Sequence, residues 1–80
     1  MAEFMAAGWF EIKGVGWEAA VRLDRDTQDF SHLLRRRVTI DGRPYVCVAV
    51  NHFGHAPPWR KGEHIGIVVE TRHAAISPLG

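Results

Sequence analysis

Asp41-Gly42 lies between two apolar, β-branched runs in the stretch Arg-Val-Thr-Ile-Asp-Gly-Arg-Pro-Tyr-Val-Cys-Val-Ala-Val, residues 37–50. A two-residue connection between antiparallel strands needs positive φ, which glycine adopts freely and aspartate tolerates, so this dipeptide predicts a tight β-hairpin. On the first arm Val38 and Ile40 share one side, and Arg37, Thr39 and Asp41 share the other. That is the period of a strand with one wet face. On the second arm both alternating sets, Tyr45/Cys47/Ala49 and Val46/Val48/Val50, are apolar. This predicts a strand covered on both faces at the centre of the fold.

Further strands are predicted on either side. In residues 8–13 Phe10 and Ile12 alternate with Trp9, Glu11 and Lys13; Gly14-Val15-Gly16 then supplies a turn or bulge. From 17 to 23, Trp17, Ala19, Val21 and Leu23 alternate with Glu18, Ala20 and Arg22, a second half-buried strand. Residues 64–70 predict the last strand, with Ile65, Ile67 and Val69 on one face and Gly66 and Val68 on the other. Between the second strand and the hairpin, Asp26 or Thr27 can cap a short helix over 27–35, with Phe30, Leu33 and Leu34 at helical spacing and Arg35 to Arg37 at its C-terminal end.

The predicted fold is therefore mainly β: one domain over 1–80, a small five-stranded coiled sheet or barrel with one short helix. Residues 1–7 are expected to be a flexible arm and 71–80 a loose tail.

Eighty residues bury only about 60% of the surface of the unfolded chain, so association is the natural supplement to so small a core. A single cysteine, Cys47, excludes an intrachain disulfide and fits a reducing compartment. A net charge of +1 lacks the basic footprint of a nucleic-acid module. No apolar run approaches the roughly 20 residues of a membrane span, and no basic segment leads into an apolar core as in a signal peptide. A protein made in the cytoplasm, with no membrane partner, is expected.

Candidate chemistries are few. His52, His55, Glu63 and His64 have loosely ligand-like spacing, but zinc sites normally recruit cysteine and Cys47 lies inside an apolar strand; no metal and no cofactor are expected. A nucleophilic Cys47 would need an exposed, electropositive setting that its valine neighbours do not provide. Asp24, Asp26 and Asp29 read as turn and cap residues. The expectation is a protein that is not an enzyme and has no small-molecule substrate.

Residues 51–63 form the longest irregular stretch, broken by Pro57-Pro58. Phe53, Pro57, Pro58, Trp59 and Arg60 are the candidate partner-binding residues there, because rigid aromatics and arginine dominate interface energetics. Phe4 and Trp9 are the candidates near the N-terminus. If Trp59 serves a partner, its loss should leave the stability of the monomer unchanged; if it folds back as a lid, its loss should destabilise the domain.

The pattern Val38-Thr39-Ile40-Asp41-Gly42-x-x-Tyr45-x-Cys47-Val48-x-Val50, followed after the loop by Gly62-Glu63-x-Ile65-Gly66-Ile67-Val68-Val69, resembles the small β-barrel proteins of tailed bacteriophages and prophages that join head to tail or complete the tail. The resemblance covers roughly residues 37–70. It implies a compact barrel that assembles in rings, with copies of itself and other virion proteins as partners and the virion as location; it implies no catalytic residues. The alternative is a small-barrel module for single-stranded nucleic acid, with Trp9, Trp17 or Trp59 stacking bases beside Arg35, Arg36, Arg60 and Lys61.

Overall fold

The computed structural model describes residues 3–70. The hairpin forms as predicted. Strand β4 (Arg37–Ile40) pairs antiparallel with β5 (Arg43–Asn51), Ile40 facing Arg43 across the two-residue turn. Asp41 at φ 53° and Gly42 at φ 80° both take the left-handed region, the signature of a type I′ turn whose twist matches the strands it joins. Val38 and Ile40 are fully buried while Arg37 is exposed, so the alternation of the first arm holds.

The remaining strands are β1 (Glu3–Phe4), β2 (Ala6–Ile12), β3 (Gly16–Arg22) and β6 (His64–Val69). All six lie in one mainly antiparallel sheet in the order β1-β4-β5-β6-β3-β2, with β1 parallel to β4. Strands β1 and β2 stand at opposite ends of this order, yet only Met5 separates them in the chain. Because neighbouring Cα atoms are about 3.8 Å apart, the two ends of the sheet must meet at Met5. The sheet coils almost upon itself and stays open as a ladder.

Residues 3–7, expected to be a flexible arm, are the sixth strand and the start of β2. Two bonds to the hairpin turn hold them: Asp41 N donates to Phe4 O at 2.9 Å, and Ala6 N donates to Asp41 Oδ1 at 2.9 Å. The tail over 71–80 lies outside the described residues.

The core gathers Ala19, Val21 and Leu23 from the β3 side, Val38 and Ile40 from β4, Tyr45 and Cys47 from β5, and Ile65, Ile67 and Val69 from β6. The two-sided strand is not β5. Val46 is 39% exposed, Ala49 is exposed, and Val48 and Val50 are half-buried. The reason is a bulge: Cys47 faces Val69 and Ala49 faces Val68, which leaves Val48 as an extra residue and shifts the inward set from Tyr45/Cys47 to Val50. The strand covered on both faces is β6, buried from Ile65 through Val69 between β5 and β3.

The predicted helix over 27–35 shrinks to one 3-10 turn, Ser31–Leu33. Its capping candidates are used elsewhere. Asp26 Oδ1 accepts from Lys61 N at 2.8 Å, and Thr27 exchanges two backbone bonds with Trp59, of 2.7 and 2.8 Å. Leu23 likewise accepts from Gly62 N at 2.9 Å and donates to Glu63 O at 2.8 Å. A segment stitched into a ladder cannot also supply its amides to a helix.

Candidate functional site

The same stitching decides where the loop residues point. With its backbone paired to Thr27, Trp59 turns inward and is 5% exposed. Its indole stacks on His52 (centroids 4.7 Å, planes 22° apart) and tilts against Phe30 at 4.8 Å. Trp59 is thus a core residue, not a surface anchor. Phe53, Pro57, Pro58 and Arg60 stay exposed, Phe53 at φ 52° on the bend with Gly54.

Near the N-terminus the candidates also turn inward. Phe4 packs partly buried on the core, and Trp9 meets Tyr45 with ring centroids 5.3 Å apart. A bulge between Ala6 and Gly8 sets the register that places Trp9 opposite the buried Ala19 and Phe10 opposite Glu18 on the other face. Trp17 is partly buried against the core as well. The three tryptophans suited to base stacking are therefore engaged in the fold, Trp59 between two rings, and only Phe10 and Phe53 are large exposed aromatics among the described residues.

Nor do the titratable groups converge. His55 Nδ1 lies 3.4 Å from Glu63 Oε2, His52 belongs to the aromatic stack, and His64 lies opposite Arg22 on β6. Among the described residues no group of three or more His, Cys, Asp or Glu side chains could hold a metal ion. Burial pushes the Cys47 thiol above its ordinary range, the reverse of what a nucleophile needs, and Sγ instead donates to Ala49 O at 3.3 Å. Glu18, the buried charged residue of the sheet, accepts from Asn51 Nδ2 at 3.0 Å.

What stands out among the described residues is the strand at one end of the sheet order and the exposed apolar side chains around it. Strand β2 ends the strand order, so along its outer side no further strand pairs with it among the described residues. Beside this edge Met5 is 73%, Phe10 57% and Val15 55% exposed. A row of backbone groups flanked by apolar side chains is a template for another strand. Sequence alternation separates Phe10 from Trp9, but only the Ala6/Gly8 bulge and the core beneath Trp9 decide which of the two faces outward. Among the described residues no helix is long and apolar enough to cross a membrane. Comparison with protein-family models, curated proteins and solved structures gives no match.

Proposed function

We propose that this chain is a non-enzymatic assembly subunit of a tailed-phage or prophage virion, present in multiple copies and joining copies of itself to other virion proteins. The observation that carries the proposal is the exposed aromatic Phe10 on β2, which stands last in the strand order among the described residues. Soluble monomers normally blunt such an edge with prolines, lysines or a covering loop. Here Phe10 stands exposed on that last strand and supplies a rigid aromatic for contact area. The resemblance of residues 37–70 to head-tail joining proteins supplies the setting.

The test is Phe10→Lys, which adds a charge beside the edge while leaving the core untouched. Sedimentation velocity of the wild type should show self-association, or co-migration with portal or tail proteins of the same genome. The variant should run as a monomer whose melting temperature stays within a few degrees of the wild type. Undiminished association of Phe10→Lys would remove the β2 edge from the interface and the proposal with it.

A further inference from the structure

Strand β1 lies in the sheet as a strap between two hollows. It is two residues long and pairs only with β4 among the described residues, with Glu3 beside Thr39 and Phe4 beside Ile40. Open grooves of about 750 and 380 Å³ run along it, and Glu3 and Phe4 line both. Leu23, Phe30 and Leu33 wall the larger groove on its far side, and Arg22, Thr39 and Gly42 the smaller. Met5, the one residue joining β1 to β2, is 73% exposed, so straightening the chain there uncovers no packed side chain. A strand end with so little packing around it belongs to the low end of local stability and opens before the core does.

The seat on β4 is defined by what fills it. It takes a parallel strand, an aromatic side chain packed on the core at the Phe4 position, and a carbonyl that accepts from Asp41 N at 2.9 Å. Backbone pairing supplies the attraction in such strand addition, and the side-chain position supplies the selectivity. A second copy of this chain brings all three features in the same order. Exchange of an identical element replaces each lost contact by an equal one, so what opposes it is the loss of freedom on association. Within one chain, Met5 keeps β1 near its own β4 at an effective concentration on the order of millimolar. Exchange therefore becomes favourable where copies are held close together.

We infer that β1 is an exchangeable strand, which leaves its own β4 and seats on the β4 of a second copy. The inference rests on the reading of the chain as a multi-copy assembly subunit and names the segment that passes between copies. It uses β1 and β4 rather than Phe10 on β2, so the two have separate tests.

Two versions of the full chain test it, Glu3→Cys and Thr39→Cys, both in a Cys47→Ala background that leaves one thiol per chain. These positions face one another across β1 and β4, and neither version can form the bond within itself. Mixed under mild oxidation, the two should give a disulfide-linked heterodimer on a non-reducing gel, in a yield that rises with concentration. Arg37→Cys, two residues back along β4 and more exposed than Thr39, is the comparison: random collision favours it, whereas a seated β1 favours Thr39→Cys. The chain carrying both Glu3→Cys and Thr39→Cys should close the bond within itself when dilute, which establishes that the pair folds and can bond. A heterodimer that forms no faster with Thr39→Cys than with Arg37→Cys, or not at all, would overturn the inference. Wild-type self-association without that heterodimer would overturn it while leaving the assembly reading intact, since that reading falls separately, to Phe10→Lys.

Discussion

The Glu18 side chain lies across Gly66 on the neighbouring strand. A Cβ built on Gly66 would stand 2.6 Å from Glu18 Cδ and 2.8 Å from its Cγ, closer than real atoms approach. Glu18 is fastened there by Asn51 Nδ2 at 3.0 Å, so three strands (β3, β6 and β5) meet in one contact on the face opposite the core. Gly66 is thus a space requirement within β6, and its absence of a side chain lets that strand be covered on both faces.

Gly66→Ala should therefore cost about 1–3 kcal/mol, the range for forcing an extra methyl into a packed site. Glu18→Ala in the same background should return part of that loss, because it removes the atoms in conflict. Chemical denaturation of the two single variants and the double variant checks this. Strictly additive losses would mean that the methyl and the carboxylate do not compete.

Val48 and Val68 are both valines in central strands, yet they should respond oppositely to charge. Val48 is the half-buried extra residue of the β5 bulge, and Val68 is 5% exposed in β6. Val48→Asp should fold with a loss of about 1 kcal/mol, typical of a partly exposed site. Val68→Asp should unfold the domain, since an unpaired buried carboxylate costs several kcal/mol against a total of roughly 3–5 for a core this small. Dispersed amide spectra for the first and collapsed spectra for the second are expected.

The hairpin was legible because its determinants are local: Asp41-Gly42 dictates the turn, and Val38 and Ile40 report a face directly. Strands β3 and β6 were legible for the same reason. What sequence did not disclose depends on partners distant in the chain. Apolar residues on both sides of β5 suggested double cover, whereas the bulge opposite Val68 and Val69 exposes half of them. Asp26 and Thr27 suit a helix start, but their bonds go to Lys61 and Trp59, more than thirty positions away. Pro57-Pro58 marks the loop as irregular, and irregularity was no guide to where Trp59 points. Phe10, the exposed aromatic beside β2, could not be told from Trp9 without the Ala6/Gly8 bulge.

Cys47 should report global opening. Buried, with its thiol pKa raised by desolvation above the ordinary 9.0, it should react with a disulfide reagent at neutral pH only as fast as the domain unfolds. The sign for stability follows: the folded state holds this proton more tightly than the unfolded state, so the contribution is intact below the ordinary pKa and is lost as pH rises through the folded one. Cys47→Ser should flatten the alkaline limb of the stability profile. Labelling at the rate of a free thiol in native buffer would show that the site is open.

Trp59→Ala should abolish folding, or lower stability by about 3–5 kcal/mol, the usual cost of removing a buried aromatic. The indole is 5% exposed, fills the space between Phe30 and His52, and holds the paired backbone of Thr27 close to its own. Removing it opens a cavity and frees the loop together. Trp59→Phe keeps a ring in the stack and gives up only an N–H that has no partner, so it should cost far less than the alanine variant. Arg60→Ala, one residue on and exposed, should leave the melting temperature unchanged. Thermal melts of the three variants decide the matter: an alanine variant as stable as the wild type would return Trp59 to the surface as a partner-binding residue.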